Sequence, residues 1–397
     1  MQKSLHAKLL PGYLAVLVFS FLLYFIMVAA EKSLLAHPVL FDFNTWLAAA
    51  ASEPLYRFLW LIGDITEPQY YKSVIGGVLT MVFALTAWLL QRAGNKLGGN
   101  VMCGSVKTWP WLVFASFLAL FISVYLYGDN LDKGAWIPTF VPFVSIPGAV
   151  VLVYGPSLKN ALTGGIIGGL VTFPISYWTI EWLWKPLELH VVLGNVAGMW
   201  IGGILVLELC RVLPWMKLPP PAAPVGVDEK AFLNKAGVFW FVRRTLADFT
   251  ESHYYANELA SIGMIAGTLL SWALNPAHPG YGSGLFPAIL CSQFLTAATG
   301  IFLFANEYKT QGWFPTFTPI VSVAPAIVLT FGGTMQSILF GALIGALFTP
   351  VVAALINRSI PPHWSGMIGC TCSMMICSGI AIMLLKYTPG FGLPWFF

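Results

Sequence analysis

Apolar residues run along this chain in long blocks that follow neither the strand period of two nor a one-sided helical stripe. The first block, 11–30, carries no charged residue. As a helix it is long enough for the hydrocarbon core of a bilayer, which takes about 20 residues. Similar blocks follow at 72–91, 109–127, 136–154, 159–178 and 191–209, and again at 258–274, 283–304, 313–331, 336–356 and 364–385. Helices apolar on every side are membrane spans or deeply buried elements. The pattern predicts an all-α polytopic membrane protein with about eleven transmembrane helices. Segment 41–62 is mixed, with Glu53 and Arg57 inside it. It reads either as an amphipathic helix at the interface or as a tilted or re-entrant segment. Segment 238–250 holds the matching place later in the chain.

The blocks repeat. Residues 136–172 and 313–349 align without a gap at one offset (313 − 136 = 177). Trp136, Pro138, Thr139, Phe140, Pro142, Ser145, Gly164, Gly168 and Thr172 each meet the same residue in the second copy. An acidic segment, Asp64-Ile65-Thr66-Glu67 with Tyr70 and Tyr71, recurs from Asp248 to Tyr255 (248 − 64 = 184). These alignments divide the chain into an extra N-terminal helix (1–40), a first repeat (41–216), a polar, proline-rich cytoplasmic linker (217–236) and a second repeat (237–397). Each repeat has an interfacial segment and five spans. Five is odd, so the two repeats insert in opposite senses and are expected to be inverted about an axis in the membrane plane. Placing Arg92, Lys96, Lys107, the linker lysines, Lys309 and Arg358 in the cytoplasm satisfies the positive-inside rule. That puts the N-terminus in the cytoplasm and the C-terminus outside, in what is expected to be a bacterial inner (plasma) membrane.

The repeated core carries the first candidate chemistry. Pro138 and Pro142, like Pro315 and Pro319, stand four residues apart, with Pro147 or Pro325 beyond them. Each proline removes a donor and clashes with the preceding turn. The third helix of each repeat is therefore expected to be broken. Breaks of this kind expose backbone groups where inverted-repeat transporters bind substrate and coupling ion. Thr139, Phe140 and Ser145, with Thr316, Phe317, Thr318 and Ser322, are the candidate substrate-binding residues. A merely kinked span is the plainer alternative. Gly164, Gly165, Gly168 and Gly169, with Gly341 and Gly345, have the small-xxx-small spacing of close helix packing, which predicts that the fourth span lies against the broken third or its symmetry mate.

Asp64 with Glu67, and Asp248 with Glu251, have the spacing of a helix N-cap and its third residue. They are equally candidates for gating, or for coupling to H⁺ or Na⁺, because carboxylates in a membrane protein are expensive to retain. Arg243 and Arg244 precede the second acidic copy, either to pair with Asp248 or to anchor the interface. Asp129, Asp132 and Lys133, like Asn306, Glu307 and Lys309, precede the broken helices as solvated loop charges or as a polar funnel.

Composition narrows the class. The chain is 58% hydrophobic and 9% charged, with a net charge of +4 scattered through short loops. That distribution gives no nucleic-acid surface. Its six cysteines and six histidines have no zinc, haem or disulfide spacing. Cys370, Cys372, Met374, Met375 and Cys377 resemble soft Cu(I) ligands. The comparable span carries Gly194, Ala197, Gly198 and Gly202, which favours small-residue packing and no metal. No nucleotide or nucleophile motif is present in the sequence. The expected function is a secondary transporter (permease) for a small polar solute, with no cofactor beyond a coupling Na⁺ or H⁺, alternating around a site between the two broken helices. An uncoupled channel or facilitator is the alternative of similar kind, since inverted five-span halves resemble urea-transporter-like folds. A membrane enzyme or redox-complex subunit is the alternative of another class. The lipid bilayer and a second copy, as a homodimer, are the expected partners.

Overall fold

The computed structural model describes residues 4–102, 105–129, 138–220 and 226–391. Trp136, Asp132 and Lys133 lie outside the described residues, as do parts of the linker and the last residues of the second repeat. Among the described residues there is no strand. The α-helices are α1 (Leu5–Leu35), α2 (Phe43–Ser52), α3 (Pro54–Asp64), α4 (Val74–Arg92), α5 (Trp109–Tyr127), α6 (Ile146–Tyr154), α7 (Leu158–Thr179) and α8 (Val192–Val212), followed by α9 (Glu229–Lys235), α10 (Val238–Asp248), α11 (Glu258–Leu274), α12 (Phe286–Leu303), α13 (Ala305–Gln311), α14 (Val323–Phe331), α15 (Met335–Ser359) and α16 (Gly366–Lys386).

Eight of them are long and apolar enough to cross a membrane: α1, α4, α5, α7, α8, α12, α15 and α16. Three shorter apolar segments, Val141–Tyr154, Glu258–Leu274 and Thr318–Phe331, lie among them. The protein is an integral membrane protein of the helical class. Helix α1 turns Leu14, Val18, Leu22 and Phe25 outward. Its opposite side packs against α10 and α12, where a Cβ on Gly12 would lie 3.0 Å from that of Phe241.

Segment 41–62 is neither one amphipathic helix nor one span. Glu53 is extended (φ −104°, ψ 122°) and Pro54 occupies the first turn of α3, a position where proline's missing N–H goes unneeded. The result is two short helices packed on each other. Asp42 caps the first, accepting from the Thr45 N–H at 2.9 Å and the Thr45 hydroxyl at 2.8 Å. Those bonds hold its carboxyl below the usual range. The folded-state value is depressed, so the stabilisation is present above the unfolded value of about 3.9 and is lost as pH falls through the folded one. Asp42→Ala is expected to cost about 0.5–1 kcal/mol at neutral pH. In melting curves the difference from wild type should close only below about pH 4.

The third segment of each repeat is broken near its start. A 3-10 turn, Val141–Val144, ends at Ser145 (φ −132°, ψ −106°), from which α6 begins. The second copy does the same, with Thr318–Val321, then Ser322 (φ −149°, ψ −90°), then α14. Packing also recurs: α7 lies against α5, α6 and α8, while α15 lies against α12, α14 and α16. The glycines make this possible. A Cβ on Gly168 would stand 3.0 Å from Pro147, and one on Gly345 would stand 2.8 Å from Pro319. The fourth span thus packs on the broken third, as the spacing predicts. The most extensive helix packing between the two repeats is α4 against α11 and α8 against α16.

Candidate functional site

Helices α3 and α10 have the same length and register (54 + 184 = 238; 64 + 184 = 248), and each ends at its acidic segment. The chain then forms a compact tip before α4 or α11 begins. In both tips two non-glycine residues are left-handed: Tyr70 (φ 63°) and Lys72 (φ 46°) in the first, Tyr254 (φ 61°) and Ala256 (φ 48°) in the second. Such conformations are uncommon for residues with a Cβ and persist where the surroundings over-determine them.

Each tip buries two carboxylates around one cation. Lys72, fully buried, pairs with Asp64 and with Glu67 at 2.7 Å. Its ammonium lies 3.6 Å from the centre of the Trp60 ring, close enough for cation–π attraction. In the second tip Arg244 pairs with both Asp248 and Glu251. The cations come from different places. Arg244 occupies the position of Trp60 (60 + 184 = 244), while Lys72 aligns with Ala256 (72 + 184 = 256). With both carboxylates ionised, each tip holds one negative charge more than its cation cancels. Arg243 pairs instead with Glu258 at 2.5 Å. The loop charges are tied down as well: Asp129 pairs with Arg57 at 3.0 Å, and Lys309 with Glu229 at 3.2 Å.

The broken helices dock on these tips. Thr139 accepts from the Trp60 indole N–H at 3.0 Å. Thr316 donates to Asp248 at 2.8 Å and meets the Tyr308 hydroxyl at 2.6 Å. Ser145, Ser322 and Thr318 donate to carbonyls of their own breaks, Val141, Thr318 and Pro315, at 2.7, 2.7 and 2.8 Å. All five hydroxyls are buried and engaged by protein. Ser145, Ser322 and Thr318 satisfy carbonyls at the breaks, a requirement for irregular backbone at membrane depth, while Thr139 and Thr316 fasten the breaks to the tips.

The two tips also interlock. Gln69 donates to the Phe249 carbonyl at 2.6 Å, and His253 donates through Nε2 to the Ile65 carbonyl at 2.6 Å. The carbonyl can only accept, which places the ring proton on Nε2. Gln69 aligns with His253 and Ile65 with Phe249 (each + 184), so the two bonds are one contact made twice. Gln293 of α12 ties the first tip to the second break, donating to Gln69 Oε1 at 2.8 Å and to the Ile320 carbonyl at 2.9 Å. In the other direction Tyr254 donates to the Ser145 carbonyl at 2.7 Å.

Beside the interlock is a cavity of about 230 Å³ lined by both halves. Its lining comes in aligned pairs: Glu67 with Glu251, Tyr70 with Tyr254, and Phe140 with Phe317. From α8 and α16 come Asn195 with Cys370 and Met199 with Met374 (370 − 195 = 374 − 199 = 175). Of the residues singled out by sequence, Glu67, Glu251, Phe140 and Phe317 reach the cavity. Asp64, Asp248, Thr139, Ser145, Thr316, Thr318 and Ser322 stand behind it as support. Sequence reasoning passed over Lys72, Trp60, Asn195, Gln293, and the pair Gln69 and His253. The last two carried a signal, since both are polar at one position of a repeated motif. No protein-family model and no curated protein matches this chain, so the site is read from its own geometry.

Proposed function

We propose that the protein is a secondary transporter for a small polar solute. Helix α1 and five segments from each repeat make eleven crossings, and the two repeats insert in opposite senses. The acidic tips are re-entrant. Helices α3 and α10 have 11 residues each, about 16 Å at ~1.5 Å per residue, or half of the ~30 Å core. The observation that carries this reading is the cavity lined in aligned pairs by both halves, beside two buried charged tips. Rocking of one half against the other would expose it to either side in turn. The coupling ion is a proton. Each carboxylate pair is already bridged by an ammonium or guanidinium, which would repel Na⁺ from the same oxygens, whereas a proton can take the one uncompensated charge. The membrane is a bacterial inner membrane with the N-terminus in the cytoplasm, and reporter fusions at each loop test that orientation.

The functional test is uptake by proteoliposomes under an imposed pH or Na⁺ gradient. Accumulation driven by the pH gradient is the expected result. Glu251→Gln leaves a one-to-one Arg244–Asp248 pair, so it should fold, lose gradient-driven accumulation and keep solute exchange. Equilibration that ignores both gradients would mean a facilitator or channel. A visible chromophore or turnover of the solute would mean an enzyme.

A further inference from the structure

The cavity contains one polar side chain that the protein leaves without a partner. Asn195 is 1% exposed, it lines the cavity, and neither its Oδ1 nor its Nδ2 has a hydrogen-bond partner. A buried carboxamide with both ends unpaired is costly, and replacement by an apolar residue would remove that cost. Its aligned mate is Cys370, so the polar anchor stands on one side only. The other groups around the space are mostly apolar. Five of the lining residues are aromatic: Tyr70, Phe140, Tyr254, Trp313 and Phe317.

We infer that this cavity binds a flat heterocycle of one or two rings through a neighbouring N–H and C=O, the lactam edge of a pyrimidine or purine base. This rests on the transporter reading and names its solute class. An asparagine carboxamide offers one acceptor and one donor side by side, and pairs bidentately with a planar edge that offers the reverse. Aromatic side chains give such a ring faces to stack on. A volume of about 230 Å³ exceeds the ~150 Å³ of an engineered cavity that takes up benzene, so a flat molecule of one or two rings has room. Charge removes a competing class. Glu67 and Glu251 lie in the lining, and each tip has two acids for one base, so a carboxylate or phosphate solute would be repelled.

The test is thermal melting of the purified full chain with uracil, hypoxanthine, 1,3-dimethyluracil or choline, and uptake of radiolabelled uracil and hypoxanthine by proteoliposomes. At least one of the two bases should raise the melting temperature by about 2 °C or more at concentrations well above its Kd. Dimethyluracil, which keeps the ring and loses the N–H donors, should not. Asn195→Leu should melt at or above the wild-type temperature without ligand and lose the shift. Asn195→Asp, which keeps the acceptors and loses the donor, should weaken it by at least tenfold in apparent Kd. Four results would each overturn the inference: a shift unchanged in Asn195→Leu, dimethyluracil acting as well as uracil, a shift with choline alone, or none with either base. The variant result does not depend on folding alone, because the dimethyluracil comparison uses wild type. Failures of the two readings separate. A base that binds through Asn195 without being taken up sinks the transporter reading and leaves this site standing. Gradient-driven uptake of another solute, indifferent to Asn195→Leu, does the reverse.

Discussion

Lys72→Met should be among the most damaging single substitutions in this protein, costing about 3–5 kcal/mol or abolishing folded yield. Lys72 is fully buried between Asp64 and Glu67, whose side chains are 0% and 2% exposed. Methionine keeps most of the volume and the contact with Trp60. The loss is therefore electrostatic: two carboxylates remain in a dry site with no cation. The control follows from the same argument. The triple variant Asp64→Asn, Glu67→Gln, Lys72→Met has no charge left to strand and should recover most of the stability, as neutral replacement of a whole buried ion cluster often does. Lys72→Arg should fall between them, because the guanidinium is larger and cannot sit as a point charge against both acids. Acid should narrow the deficit of Lys72→Met, since a proton can supply the missing positive charge. The measurement is melting temperature and monodisperse yield after extraction in mild detergent. A Lys72→Met protein as stable as wild type would mean the tip does not hold its carboxylates charged. Arg244→Met, with Asp248 and Glu251 beside it, should behave the same way.

How much of this was legible beforehand depends on what each signal measures. Hydrophobic length placed the long helices well, because a bilayer demands it of every lipid-facing residue. Trp109–Tyr127 and Glu258–Leu274 begin and end where the apolar blocks do. The repeated prolines located both breaks, since a missing N–H acts locally whatever the surroundings. The hydroxyls beside them were a different matter. Thr139 and Ser145 are polar at a break, and sequence alone cannot say whether such a group faces a solute or a carbonyl. In the structure they face protein. Lys72 was hidden by its place at the edge of an apolar block, where a lysine usually snorkels to the interface. Its real role depends on a left-handed backbone that no local pattern announces. Asn195 lies in a helix rich in glycine and alanine, and it stands out only when its lack of a partner can be seen. The α4–α11 crossing was missed for a similar reason. Gly267 packs on Gly76, while Gly263 packs on Leu79 and Phe83, and the glycines of the two helices fall at different aligned positions (76 + 184 = 260; 267 − 184 = 83), so neither copy of the repeat predicts the other.

The packing of α3 on α4 carries the other large effect. Gly77→Ala is expected to destabilise the protein by about 1–3 kcal/mol, toward the upper end of what overpacking costs. A Cβ there would stand 2.1 Å from the Ile62 carbonyl oxygen and 3.0 Å from its carbon. Those are backbone atoms of α3, which cannot rotate away, so the helix itself must move. The neighbouring Gly76 gives the comparison. Its Cβ would meet the Thr268 hydroxyl at 2.4 Å and the Ser73 hydroxyl at 2.9 Å, both side-chain ends that can turn aside, so Gly76→Ala should be distinctly milder. The aligned position in the second half is Ser261 (77 + 184), which is buried and bonded to Thr250 at 2.9 Å. The close approach is thus particular to the first half. The consequence reaches the site, because α3 leads directly into Asp64 and carries Trp60. Moving α3 away from α4 separates Trp60 from Thr139 and shifts Asp64 against Lys72. On the proposed transporter function, Gly77→Ala should therefore lose transport out of proportion to its stability, whereas Gly76→Ala should lose the two together. Melting temperature and initial uptake rate, measured on both variants, decide it. Equal behaviour of the two would mean that α3 is free to slide on α4 and does not fix the tip.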